Sequence, residues 1–576
     1  MRLDLRHGGL DDIAPRQLAP HDWAQCAPSA LLTSWAAHSR LLFAAGLCAL
    51  LLLLGAWHGL RAVFRHRHSL TLWLGALLGA VLASYWLSLA RLATYRHVDE
   101  VTDLHATIVA AFSGLDPVDR AYPAFYPIIS GCLHALLIVA RAALGGLSLE
   151  RAAAIALLTE TDILLLSARL VSALSCLGIL ALVHRMTTTL TGTRLPGLLP
   201  VLFLLTSDHF APWPFWVSPH PLALFLGLSF IHLTAVRSPT TPLTPARAAG
   251  LGVLFGVGLA THYFTIVLAP VFVLAASQRR AKLRPGRALT VFVATLSATF
   301  TLINYRLFVR PHDYAYSLSR HVSQLLGDSR MLPSAVALLA ALLGAAALFV
   351  LGGRLLRSSA PKWLPQAALA LPAAIYLIVF NTATLVLPWY HVYPAALLAI
   401  LAATLLVKLF SSRPALRIIG RVGFVILLIL LGQRFPAALQ SPSEEICFDR
   451  PSRGRTLIDS LREHEDIPGP IGVYDNSMFA FEQWASFDPA GGWLIAAVQR
   501  EIQERTGRET VWLSRSAAPR EHSDKEISLI FRLAWDSGHD DFDHERLVGF
   551  ELVDERAGGD CKLTIHRRRG LGEAAR

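Results

Sequence analysis

The chain reads as an α-helical polytopic membrane protein of about 12 spans plus a juxtamembrane helix, ending in a small extracytoplasmic α/β domain. Three observations predict that class. Of 576 residues, 54% are hydrophobic and only 16% charged, and the mean hydropathy is +0.47, a balance that soluble domains do not reach. The apolar residues fall in repeated runs near the roughly 20 residues that a bilayer crossing needs. These runs stop near Gln440, and Ser441 to Arg576 carries 18 Lys and Arg against 26 Asp and Glu.

Spans are expected at 41–60, 70–92, 163–185, 195–213, 220–237, 247–262, 264–279, 287–308, 334–356, 366–387, 392–410 and 421–439. Loop charge orients them, because Lys and Arg in short loops mark the cytoplasmic side. The loops Arg61 to His68, Arg279 to Arg287, Arg354 to Lys362 and Arg413 to Arg421 are therefore read as cytoplasmic. A full crossing by the apolar stretch 123–145 would put the first of these loops opposite the others. That stretch is read instead as a juxtamembrane or half-embedded helix, which leaves both termini and the loop holding Asp99 outside. The N-terminal 40 residues interleave Asp4, Asp11, Asp12 and Asp22 with Arg2, Arg6 and Arg16, unlike a cleavable signal peptide.

Residues 1–40 thus form an outer segment, 41–439 the transmembrane domain and 440–576 the outer α/β domain. In the last, strand-like runs at Ile471 to Tyr474, Val511 to Leu513, Ile527 to Leu533, Leu547 to Val553 and Leu563 to His566 accompany a helical run at Trp493 to Arg505. The tail's net charge of −8 leaves +19 before it. The basic balance follows from topology and not from a nucleic-acid surface, so membrane lipids rather than nucleic acid are the expected partners.

Cys26, Cys447 and Cys561 fall in outside segments, and a Cys447–Cys561 bridge would bracket the tail domain. No CxxC, Walker or HExxH pattern occurs, which excludes the common zinc-protease and nucleotide-pump signatures. Gly75 with Gly79, and Gly252 with Gly256, have the small-xxx-small spacing of closely packed membrane helices. The acidic stretch His539 to Glu545 lacks the glycine of a calcium loop and reads as a solvated turn ahead of a metal site.

The most informative stretch is Arg96-His97-Val98-Asp99-Glu100, two carboxylates just beyond the run Leu70 to Leu92. A carboxylate near a bilayer is costly without water or a partner. Solvation, or pairing with Arg96, is the plain alternative to a functional role.

Several segments together resemble the GT-C glycosyltransferases, the superfamily of protein O-mannosyltransferases, lipid A aminoarabinose transferases and mannosyltransferases with an HxDE motif. The first is the acidic outer loop at His97 to Glu100. Tyr122-Pro123-Ala124-Phe125-Tyr126 is similar to the family's Pro-rich juxtamembrane helix, and Ala168-Arg169-Leu170-Val171-Ser172-Ala173-Leu174 to the opening of its next span. Ser218 to Phe225, Gly258 to His262 and Leu387 to Pro394 resemble three later outer-face segments. The chain departs from the family where His220 and His262 stand in place of the frequent Asp and Lys.

What the resemblance implies is transfer of a sugar from a polyprenyl-phosphate carrier to a hydroxyl of a glycan, lipid or protein acceptor on the outer face, usually with inversion. Such chemistry needs a carboxylate to take the acceptor proton, donors for the departing phosphate and an apolar groove for the lipid. Asp99 suits the first role, with Glu100 beside it. Arg169, Arg306 and Arg310 are the cations placed for phosphate, since guanidinium binds its oxygens bidentately. Tyr122, Tyr126 and His262 are further phosphate contacts by resemblance, and His97, His220, Tyr390 and His391 substrate contacts. Snorkelling to the interface is the alternative for Arg169, and interfacial packing for the histidines and for the aromatic residues near Trp213 and Trp389. No organic cofactor is implied, and a divalent metal stays open because members of the superfamily differ. Lysine occurs only five times, a bias that points to a GC-rich bacterial genome, hence an undecaprenyl carrier and the inner membrane.

Two other classes fit the composition. A secondary transporter of a small or lipid-linked solute would also be polytopic, with Pro270 interrupting an apolar run, but its coupling groups would sit near the midplane in repeated halves. A scaffold presenting the tail domain would leave the outer-face segments unexplained.

Overall fold

The computed structural model describes residues 39, 41–50, 53, 57, 99–112, 123–237, 243–278, 285–305, 364–382, 388–411, 422, 450–465, 467, 469–475, 491–512, 527–535, 549–558 and 561–569. The expected spans 70–92, 334–356 and 421–439 lie almost wholly outside these residues, as does the acidic stretch at 539–545.

Helices α1 (Asp99–Phe112), α2 (Phe125–Gly145), α3 (Leu149–Leu158) and α4 (Thr161–Thr191) come first. They are followed by α5 (Leu198–Leu205), α6 (His220–Ile231), α7 (Pro245–Leu259), α8 (Ala269–Gln278), α9 (Pro285–Ile303), α10 (Leu364–Thr382) and α11 (Val392–Ser411). Among the described residues, three helices are long and apolar enough to cross a membrane: Phe125–Gly145, Ile163–Thr191 and Gly286–Ile303. The first is the stretch expected to be half-embedded; at 21 residues it extends about 31 Å, enough by length alone to cross.

Local chemistry sets the ends of these helices. Ser148 caps α3 by accepting the Arg151 N–H at 3.2 Å, and Thr244 caps α7 at Arg247 with Pro245 in the first turn. Helices α2 and α4 stop at Gly146 (φ 62°) and Gly192 (φ 74°), both in the left-handed conformation that glycine adopts without penalty. Close approach then fixes the packing of α7 on α9. A Cβ on Gly256 would lie 2.9 Å from the Leu296 carbonyl oxygen, and one on Gly252 2.5 Å from that of Phe292, so this small-xxx-small pair serves helix contact.

Beyond the spans, α12 (Arg450–Glu463) and α13 (Gly491–Thr506) accompany five strands, β1 (Ile471–Asp475), β2 (Thr510–Trp512), β3 (Leu529–Trp535), β4 (Phe550–Gly558) and β5 (Cys561–Arg568). The sheet order is β2-β1-β3-β5-β4, with β1 parallel to β2 and β3, and β5 antiparallel to β3 and β4. Its core joins Ile471, Val473, Leu529, Phe531, Leu563 and Ile565 to Val498 and Ile502 of α13, and it continues into Ala154 and Leu158 of α3. Arg508 ties the parallel half together, donating to the carbonyls of His464 (3.0 Å), Ile467 and Gly469 (3.1 Å).

Ion pairs complete the seam between this sheet unit and α3. Arg151 meets Glu501 at 3.3 Å and Glu504 at 3.1 Å, and Arg500 meets Glu150 at 3.6 Å. Of the cysteines considered for a bridge, Cys26 and Cys447 lie outside the described residues. Cys48, Cys132 and Cys176 are buried and free.

Candidate active site

The segments singled out by sequence touch one another in sequence-distant pairs. The Phe125 N–H donates to the Ala260 carbonyl at 2.9 Å, and the Ala124 N–H to Asn304 Oδ1 at 3.0 Å, so the start of α2 is held between the ends of α7 and α9. The Tyr126 hydroxyl, buried, reaches the Ala168 carbonyl at 3.4 Å, next to Arg169. From the following turn of α4, Ser172 donates to the Ser218 carbonyl at 3.3 Å. Ser218 in turn accepts the His220 N–H at the opening of α6.

Around His220 the side chains form an aromatic box. Its ring centroid is 4.7 Å from that of His262, 5.2 Å from Tyr390, 6.1 Å from Tyr393 and 6.2 Å from Trp213. The Tyr393 hydroxyl lies 3.3 Å from both His220 Nδ1 and the His220 carbonyl. His262 has a structural role as well: it precedes the 3-10 turn Tyr263–Leu268, and its Nδ1 accepts the Phe264 N–H at 3.2 Å. Phe264 and Phe380 close the box behind Tyr390 at 4.9 and 5.5 Å, and His391, half-buried, stands 6.2 Å from Phe380. The Trp213 indole N–H, fully buried, has no acceptor among the described residues.

Asp99 and Glu100 belong to helix α1. A buried polar relay registers this helix. Thr107 Oγ1 is 2.8 Å from His134 Nε2, and His134 Nδ1 is 2.7 Å from Ser167 Oγ. The carboxylate-bearing helix is thereby linked through α2 to a position on α4 two residues before Arg169. Arg169 itself is fully buried despite its charge, an environment tolerated only with polar or anionic groups facing it.

Of the residues expected from sequence, the structure brings His220, His262 and Tyr390 together, with His391 at the edge. Tyr126 reaches the backbone of Ala168, the residue before Arg169, where α2 meets α4. Tyr122, His97, Arg306 and Arg310 lie outside the described residues, as do the side chains of Asp99 and Glu100. Tyr393, Asn304 and His134 make contacts with these segments that sequence reading missed, and Asp103 of α1 is buried. Tyr393 stands three residues after Tyr390, and both rings reach His220. Among the described residues no group of three or more His, Cys, Asp or Glu side chains gathers as a metal site.

Fold and site together define a multi-helix membrane protein with a buried, aromatic-lined polar junction where five separate segments meet. No family model matches the chain, and no curated protein matches it. Solved structures do. ArnT from Cupriavidus metallidurans bound to undecaprenyl phosphate is similar over 87% of this chain and 99% of its own, at 13% identity and a TM-score of 0.48, and its apo state matches alike. The archaeal oligosaccharyltransferase AglB from Archaeoglobus fulgidus, in complex with an inhibitory peptide and a dolichol-phosphate, is similar over 76% of this chain and 66% of its own, at 11% identity and a TM-score of 0.33.

Proposed function

We propose that this chain is a membrane glycosyltransferase that moves a sugar from a polyprenyl-phosphate carrier to an acceptor hydroxyl on the outer face of the membrane, with inversion. The observation that carries the reading is the meeting of the motif segments. Residues 124–126, 168–172, 218–220, 260–262 and 390–393, far apart in sequence, contact one another in one chain of hydrogen bonds and tilted or edge-on ring contacts. Segments that served only as an interfacial aromatic belt would have no reason to converge.

In this reading Asp99 takes the acceptor proton as the new bond forms at the anomeric carbon. The bond from that carbon to the phosphate oxygen breaks, and its electron pair leaves with the carrier phosphate. Arg169, with Arg306 at the outer end of its span, neutralises that phosphate; planar guanidinium groups do so without giving up their charge. The His220–His262–Tyr390 box supplies stacking faces and hydrogen-bonding edges for the sugar. Purified chain incubated with a panel of polyprenyl-phosphate sugars tests the proposal. Carrier-phosphate release that depends on one donor supports it, and absence of both turnover and donor-dependent thermal protection across the panel refutes it.

A further inference from the structure

Helix α6 opens at His220 in the aromatic box and runs 12 residues to Ile231, about 18 Å of helix. At its far end the backbone widens into a π-turn over His232–Val236, in which the Arg237 N–H bonds to the His232 carbonyl at 2.8 Å. Such turns recur at functional positions. His232 is only 4% exposed, and neither ring nitrogen has a hydrogen-bond partner among the described residues.

Two cations act on that imidazole, and a third is bonded to the backbone of the next residue, Leu233. Arg185 of α4 and Arg237 lie within electrostatic range of its ring, and Arg237 within range of Arg247. Arg247 is fixed beside it by donating to the Leu233 carbonyl at 2.7 Å, which uses one of five guanidinium donors. Basic residues at a loop end are expected from topology alone; a buried imidazole with both nitrogens unused beside them is not.

The neighbouring surface indicates what sits there. On α4, Leu174 (59% exposed), Leu177 (56%), Ala181 and Arg185 follow one another at helical spacing, with the last two also exposed. An apolar stripe therefore ends on a cation. From Leu174 to Arg185 is about 16 Å of helix, close to half of a roughly 30 Å hydrocarbon core, the depth of one leaflet.

We propose that Arg185, Arg237, Arg247 and His232 bind the phosphate of an anionic glycerophospholipid, whose acyl chains lie along the Leu174–Ala181 face, at the end of the bundle opposite the aromatic box. The site is separate from the transfer chemistry, so its fate does not depend on that reading.

Thermal unfolding of the full chain in a neutral detergent tests it, with phosphatidylglycerol, phosphatidylcholine or inorganic phosphate as additive. Phosphatidylglycerol should raise the midpoint saturably, whereas phosphatidylcholine and millimolar phosphate should leave it in place. Arg185→Gln combined with Arg237→Gln should abolish the shift. Both positions are exposed, so this pair is expected to fold even where the buried His232→Leu does not. Equal stabilisation by phosphatidylcholine would mean chain packing without headgroup recognition, and equal stabilisation by phosphate a soluble anion; either overturns the proposal. So does a phosphatidylglycerol shift that survives in the double variant.

Discussion

The rings of His220 and His262 lie 4.7 Å apart, although 42 positions separate them in the chain. One opens helix α6 and the other terminates the stretch after α7, so the box exists only when both helix ends are held in place. His262 does part of that holding through its bond to the Phe264 N–H.

That dual role separates experimentally. His262→Ala removes the cap and should cost about 0.5–2 kcal/mol of stability, whereas His262→Asn restores an acceptor and most of the loss. If the ring serves the sugar or phosphate, the Asn variant stays stable yet transfers poorly. Thermal unfolding and turnover measured on the same preparations distinguish the two.

Replacing Gly256 with Leu forces a side chain against the Leu296 carbonyl and Thr299. Overpacking of this kind typically costs about 1–3 kcal/mol. Lower yield of folded protein and a lower unfolding midpoint are expected, with Gly256→Ala intermediate.

Glu501, only 3% exposed, accepts from Arg505 at 2.8 Å and meets Arg151 of α3 at 3.3 Å. Removing one partner of a buried pair leaves the others uncompensated, at about 3–5 kcal/mol where burial is complete and less here because Arg151 is half exposed. Glu501→Ala should therefore accelerate hydrogen exchange in α3 and α13 together. Unchanged exchange in α3 would show that the seam does not depend on Glu501, leaving it to Ala154, Leu158 and the Arg151–Glu504 and Arg500–Glu150 pairs.

Arg169→Ala should weaken donor binding, and Arg169→Lys should rescue it only in part, because an ammonium lacks the bidentate fork. Donor titrations by thermal shift check this. Equal affinity in wild type and Arg169→Ala would remove the residue from the phosphate site.

How much of this was legible in the sequence depends on the range of the interaction. Helix positions follow from apolar runs whose length the bilayer dictates, so 220–237, 264–279 and 392–410 fall within a few residues of the observed helices. The strand runs of the tail were visible through their alternation, but helix α12 was not, because Arg450–Glu463 is strongly polar and carries few apolar anchors. His220, His262 and Tyr390 could be named individually from motif resemblance. Their mutual contact could not, since it depends on the relative placement of α6, α7 and α11. The relay from Thr107 through His134 to Ser167 gave no signal at all: a lone histidine and two hydroxyls in apolar helices resemble ordinary core polar residues until their partners are seen.

The most direct test is the rate of sugar transfer by Asp99→Asn in a well-folded preparation, with the preferred polyprenyl-phosphate donor at saturation. Asn keeps the shape of the side chain but cannot accept a proton, so the expected result is a fall of roughly 100-fold to 10,000-fold. Donor binding and unfolding midpoint should stay near wild type, and Glu100→Gln should lose less. Near-normal transfer by a stable Asp99→Asn protein would contradict the assignment of Asp99 as the base.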